Sequence, residues 1–164
     1  MKVKPGDIIF TRPKSKIFNI IRWWTKGEYG HVCLAIAKIS NHIFITEALQ
    51  DGVDVNDFIW KKKKNESYIV YRNTRTVPYK IENLINRVVS YHGSPYDTKA
   101  LLNFIIGRTC FGTDKAVYCS ELIYRALCSC NMIKKEFDAE RISPKMLRDV
   151  LDKTDQFEIV EKHD

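Results

Sequence analysis

Residues 67–93 read SYIVYRNTRTVPYKIENLINRVVSYHG, and halfway along this stretch the apolar period changes. SYIVYRN, residues 67–73, is apolar and β-rich and predicts a strand. Beyond it, Ile81, Leu84, Ile85, Val88 and Val89 recur at helical spacing and make one stripe closed by Gly93. Upstream, strand patterns dominate: GDIIF at 6–10 follows a turn glycine with β-branched and aromatic residues, and HVCLAIA, HIFITEAL and GVDV come next, separated by 38–41 and 50–52. Downstream, residues 119–132 predict a helix, Ser143-Pro144 caps another, and QFEIVEK near the end offers a last strand. Strands grouped first and helices afterwards predict an α+β fold, an antiparallel sheet or barrel packed against helices rather than alternating βαβ units.

The chain has 164 residues, the size of one domain spanning 1–164. Apolar residues make up 45%, which excludes whole-chain disorder. No stretch free of Asp, Glu, Lys and Arg exceeds nine residues, about half of a membrane span, and MKVKPGDIIF turns polar before a signal-peptide h-region can form. A cytoplasmic setting is the expectation. The net charge of +7 invites nucleic acid as a partner, but no RNA- or DNA-binding module signature is present and the charge is spread over helices and loops. The run Lys61, Lys62, Lys63, Lys64 reads as a solvated loop. Five cysteines, at 33, 110, 119, 128 and 130, form neither a disulfide framework nor a CxxC zinc pair, so they are read as reduced thiols, and no metal or organic cofactor is expected.

One thiol differs from the rest in setting. In AVYCSELIYRAL, Cys119 opens a helix whose buried stripe is Leu122, Ile123, Ala126 and Leu127. There the sulfur meets unsatisfied backbone N–H groups and the positive end of the helix dipole, a setting that favours an anionic sulfur. The same N–H groups can hold the oxyanion formed when a thiolate attacks an acyl carbon. A base is needed beside it. Of four histidines, His163 lies at the C-terminus, His92 precedes a helix-ending glycine and His42 sits by a turn, whereas His31 opens an apolar strand. His31 is the candidate base.

A third residue should orient the imidazole by accepting its other N–H. Glu47, within FITEAL, is a carboxylate inside the following strand, where charge is costly unless paired. In a hairpin, Glu47 faces His31 directly if the loop centres on Ile39; a tight turn at Ser40-Asn41 would pair Glu47 with Leu34 instead. Taken singly, each of these residues also has an ordinary structural role in core, strand or surface.

Together the pieces resemble the circularly permuted branch of the NlpC-type papain-like cysteine peptidase superfamily, to which the lecithin:retinol acyltransferase group is related. They run in order: GDIIF at 6–10, YGHVCLAI at 29–36, EA at 47–48, GVDV at 52–55, GSPYD at 93–97 and YCSELIYRA at 118–126. The resemblance implies Cys119 as nucleophile, His31 as base and Glu47 as orienting residue, with the histidine strand preceding the cysteine helix. Two departures stand out: Cys33 replaces a small residue, often Gly, two places after the histidine, and Gly30 stands where Ser is common. Residues 98–117, with ALLNFII, are expected to contribute to the substrate wall.

The function expected is a thiol hydrolase cleaving an amide or ester of a small molecule, peptide or lipid through a thioester. Tyr29, Tyr96 and Tyr118 are candidate substrate-binding residues, Tyr29 or Tyr118 offering a hydroxyl to the oxyanion. Acyl transfer would use the same triad with an amine or alcohol as acceptor, and a non-catalytic lipid- or peptide-binding module would use the scaffold alone. One further segment stays open. Residues 14–26 place Ile17, Ile20, Ile21 and Trp24 on one helical stripe with Trp23 beside it, among Lys14, Lys16, Arg22 and Lys26. The stripe either packs on the sheet or leaves a tryptophan exposed near the Cys119 cleft, as a peripheral membrane contact.

Overall fold

Ile8 and Phe10 point to one side of a strand and Ile9 to the other, and both sides are buried, so the first strand of the chain runs through the middle of the molecule. In the computed structural model, residues 2–58, 66–97 and 116–164 are described. The four-lysine run, Cys110 and the ALLNFII segment lie outside them.

In chain order the elements are β1 (Ile8–Thr11), α1 (Lys16–Thr25), β2 (His31–Ile39), β3 (His42–Leu49), β4 (Gly52–Asp57), β5 (Tyr68–Asn73), α2 (Pro78–Val89), α3 (Cys119–Ser129), a single 3-10 turn (Ala139–Arg141), α4 (Pro144–Lys153) and β6 (Phe157–His163). The strands form one antiparallel sheet in the order β4-β3-β2-β1-β5-β6. It is an open sheet rather than a barrel among the described residues. The fold is α+β, with β1 to β4 a continuous meander and β5 and β6 added on the far side of β1.

Alternation along the strands builds two apolar layers. Ile8, Phe10, Val32, Leu34, Ile69 and Tyr71 meet Leu122, Ile123, Ala126 and Leu127 of α3, Leu84 and Val88 of α2, and Leu147, Val150 and Leu151 of α4. On the opposite face Ile9, Cys33, Ala35, Ile43, Ile45, Tyr68 and Val70 form a smaller cluster with Val3 and Phe58. Each Leu, Ile or Val so buried stabilises the fold by about 1.5–3 kcal/mol. Helix α4 starts as its sequence demands: Ser143 accepts from the Met146 N–H at 3.1 Å and Pro144 occupies the first turn.

The β2–β3 hairpin corrects one expectation. Its loop is the tight Ser40-Asn41 turn, with Ser40 at φ 54, and Ile39 pairs with His42. The register demanded for direct opposition of His31 and Glu47 is therefore absent. A bulge between Ala35 and Ala37 then shifts the pairing by one residue, so Leu34 faces Thr46 and not Glu47. Continued in that register, Glu47 comes opposite Cys33, two residues from His31 on the same side of β2. The two therefore meet diagonally, a separation that long side chains span.

Two further contacts fix the surroundings. Arg72 Nε and Nη2 donate to the two carboxylate oxygens of Asp7 at 2.8 and 2.7 Å, and the Lys4 N–H donates to Oδ2 at 2.7 Å. This fork clamps the turn before β1 onto β5. Gly30 lies directly beneath α1: a Cβ there would stand 2.7 Å from the Phe18 carbonyl oxygen. A serine at this position would push α1 off the start of β2, which accounts for the glycine.

Candidate active site

Cys119 is the first residue of α3, preceded by Tyr118 in extended backbone at φ −104, ψ 171. The apolar side chains at 122, 123, 126 and 127 hold the helix against β2, so its N-terminus is aimed at the beginning of that strand. The side chain of the N-cap residue, Tyr118, makes no cap hydrogen bond. Ser120 instead donates its hydroxyl to the Ile142 carbonyl at 2.6 Å, tying the first turn to the segment that leads into α4. Cys119 itself is 2% exposed. Among the described residues Cys33, Cys119, Cys128 and Cys130 form no disulfide.

His31 is 1% exposed and Glu47 0%, and His31 Nε2 donates to Glu47 Oε2 at 2.7 Å. A buried carboxylate without partners would be prohibitively costly. Here it is satisfied twice, because Asn56 Nδ2 donates to the other oxygen, Oε1, at 3.0 Å. Asn56 was not foreseen in the sequence, where the strand was taken to stop at Val55. The strand instead continues to Asp57, and Asn56 pairs with Ile45, two residues before Glu47, on the same face. A polar residue at that alternate position was the available signal.

With Nε2 taken by Glu47, Nδ1 is the imidazole nitrogen open to a thiol. It is buried and has no hydrogen-bond partner. Burial pulls the His31 pKa down, but its interactions with Cys119 and with Glu47 outweigh burial and push it up to about 9. The Phe18 ring lies 5.0 Å from the imidazole, tilted by 53°, and covers it from α1. That contact too was invisible in the helical stripe.

The three tyrosines divide. Val117 N–H donates to the Pro95 carbonyl at 3.2 Å and Asp97 N–H to the Val117 carbonyl at 3.4 Å, which brings the segment carrying Tyr96 alongside the start of α3. The Tyr96 phenol is 8% exposed, and burial, reinforced by Cys119 and Asp97, raises its pKa. Tyr118 is buried at the same end, but its hydroxyl donates to the Ala139 carbonyl at 3.4 Å. Tyr29 meets α4. Its ring lies 5.3 Å from the Arg148 guanidinium, and it lines a surface pocket of about 290 Å³ with Glu28, Lys145, Asp149 and Asp152. Two residues beyond Cys119, Glu121 accepts from Arg125 Nε at 2.8 Å and, at 3.4 Å, from the Tyr118 N–H. Burial pushes its carboxyl up to about 7, Arg125 opposing and Asp97 adding to the rise.

The assembly can hold and move a proton between a sulfur and an imidazole whose orientation a buried carboxylate sets. Among the described residues no group of three or more His, Cys, Asp or Glu side chains could hold a metal ion, and no helix is long and apolar enough to cross a membrane.

Comparison with known proteins gives the following. Residues 2–150 match the family model for "permuted papain-like amidase enzyme, YaeF/YiiX, C92 family". Among solved structures the chain is similar to a protein described as metalloprotein yiiX from Escherichia coli O157:H7, with TM-score 0.73, 21% identity and 99% of each chain covered. No curated protein matches the sequence.

Proposed function

Because the chain belongs to the permuted papain-like amidase family, we propose that it is a thiol hydrolase cleaving an amide or ester bond through Cys119, His31 and Glu47. The observation carrying this reading is a buried imidazole with one nitrogen held by a buried carboxylate at 2.7 Å, the other without a partner, and Cys119 as its second ionisable neighbour. His31 Nδ1 holds the proton given up by the Cys119 thiol, and Sγ bonds to the acyl carbon. The carbonyl electron pair moves to oxygen, where the N–H groups of the first turn of α3 receive it. As the carbonyl re-forms, the bond to the leaving nitrogen or oxygen breaks and Nδ1–H supplies the proton that the leaving group needs. A thioester remains. Water, losing a proton to the same nitrogen, then attacks the thioester and releases a carboxylic acid and the free thiol.

Glu47 keeps its charge throughout and stabilises the imidazolium while fixing the ring. Tyr96, whose segment runs alongside the start of α3, is the residue we assign to substrate contact. The substrate is an amide or ester of a small molecule, a peptide or a lipid. The test is intact-protein mass spectrometry after mixing with activated acyl esters. An acyl adduct mapping to Cys119 in wild type and missing in Cys119→Ala is the expected result. Turnover that persists in Cys119→Ala would overturn the reading.

A further inference from the structure

Helix α1 has an outward face that nothing among the described residues covers. Ile20 is 49% exposed, Trp23 77% and Trp24 44%, while the helix buries only Ile21 fully. Positions 20, 23 and 24 are neighbours on a helix surface, and the two indole rings lie 6.3 Å apart, so the three side chains make one continuous apolar patch. Elsewhere among the described residues the large exposed apolar side chains are Ile39, Val77, Tyr79, Val89 and Ile159, dispersed over several elements. Scattered residues need no explanation, but a patch of two tryptophans and an isoleucine on one face does.

The charge around the patch is of one sign. From residue 12 to 27 the chain carries Arg12, Lys14, Lys16, Arg22 and Lys26 and no Asp or Glu. None of these five side chains forms an ion pair among the described residues. Lys16 lies one turn before Ile20 on the same face. Burying this patch against a second copy of the chain would bring like charges together across a self-complementary interface. An anionic bilayer surface satisfies both features at once, since indoles settle at headgroup level and Lys and Arg pair with lipid phosphates and carboxylates.

We propose that α1 is a docking helix that lays Ile20, Trp23 and Trp24 into the interface of an anionic membrane, with Lys14, Lys16 and Lys26 against the headgroups. The same helix covers the base: Phe18 lies 5.0 Å from the His31 ring, and the Phe18 carbonyl sits tight over Gly30. Docking therefore brings the element that covers His31 to the lipid surface. The consequence that the scissile amide or ester belongs to a lipid rests on the thiol-hydrolase reading, whereas docking itself does not.

Co-sedimentation with phosphatidylserine-containing and with pure phosphatidylcholine vesicles, together with quenching by brominated lipid, tests it. Quenching is read as the difference between wild type and Trp23→Ala/Trp24→Ala, which removes any signal from Trp60. Wild type is expected to bind the anionic vesicles and to lose affinity with salt. The double tryptophan variant should bind at least about tenfold more weakly. Each of Lys14→Gln, Lys16→Gln and Lys26→Gln should weaken binding about fivefold. No sedimentation with anionic vesicles, equal binding by the tryptophan variant, or a vesicle-free dimer that this variant dissolves would each overturn the proposal. Thermal melts confirm that the variants are folded. Hydrolysis of a soluble acyl ester, expected to be unchanged in them, reports the thiol chemistry independently.

Discussion

The sheet carries two histidine–carboxylate pairs of almost equal length in opposite surroundings. His31 and Glu47 meet at 2.7 Å and His42 and Asp57 at 2.6 Å. The first pair is 1% and 0% exposed, the second 60% and 27%. In water the second pair is screened and contributes between nothing and about 1 kcal/mol. In the interior the first pair faces a large desolvation cost, offset by mutual attraction and by the second hydrogen bond from Asn56. Distance alone does not distinguish them. What separates the buried pair from the surface pair is the α3 and α1 packing that keeps water from the imidazole.

Removing the two imidazoles should show this contrast most strongly. His31→Ala is expected to lower kcat/KM by about 10²–10⁴-fold in an acyl-ester assay, while His42→Ala leaves it unchanged. Equal effects would mean that burial is not what separates the pairs. Next in size is Glu47→Gln, which keeps some turnover because an amide oxygen can still accept from the imidazole, at a cost of about 10²-fold. The same variant should move the basic limb of the pH–rate profile below about 9, since a charge that holds the His31 proton is gone. Full activity in Glu47→Gln would reduce Glu47 to a structural residue.

A third test concerns pH and stability. The folded His31 pKa, about 9, lies above the ordinary 6.5. The protonated form is thus favoured by folding, a contribution complete below pH 6.5 and lost as pH rises through about 9. Its size is on the order of a few kcal/mol. Thermal melts from pH 6 to 10 should show the decline in wild type and a smaller one in Cys119→Ala; a flat profile would show that the proton is not held. Asn56→Ala should cost about 1.5 kcal/mol and slow turnover only severalfold, because Glu47 loses one hydrogen bond of its set. Smallest of all, Asp57→Asn at the exposed pair should change stability by less than about 1 kcal/mol in denaturant titration.

Much of this was legible in the sequence, and the residues show why the rest was not. The place of Cys119 at the head of a helix was legible because an apolar helical stripe begins just after it. That Glu47 needs a partner was legible because a carboxylate in FITEAL conflicts with its apolar surroundings. The hairpin register was not, because residues 31–35 are buried on both faces of β2 and such a run has no alternation from which to read phase. The bulge near Ile36 leaves no compositional mark. Asn56 was hidden by a strand end placed two residues too early, at Val55 rather than Asp57. The outward face of α1 could not be chosen over a core-facing one because a helix with four apolar positions and two adjacent tryptophans fits either, and only packing showed that Ile21 alone is fully buried.

The strand order bears on how the chain comes into being. β1 to β4 form a meander of nearest neighbours, so the base and its carboxylate can be joined by contacts local in sequence. Cys119 belongs to α3, and at ribosomal speeds it emerges seconds after Glu47. A growing chain can therefore hold His31 against Glu47 before Cys119 reaches the imidazole. On the proposed thiol mechanism, activity waits for α3 to pack across β2, and a translation-arrested fragment ending before Cys119 is inert.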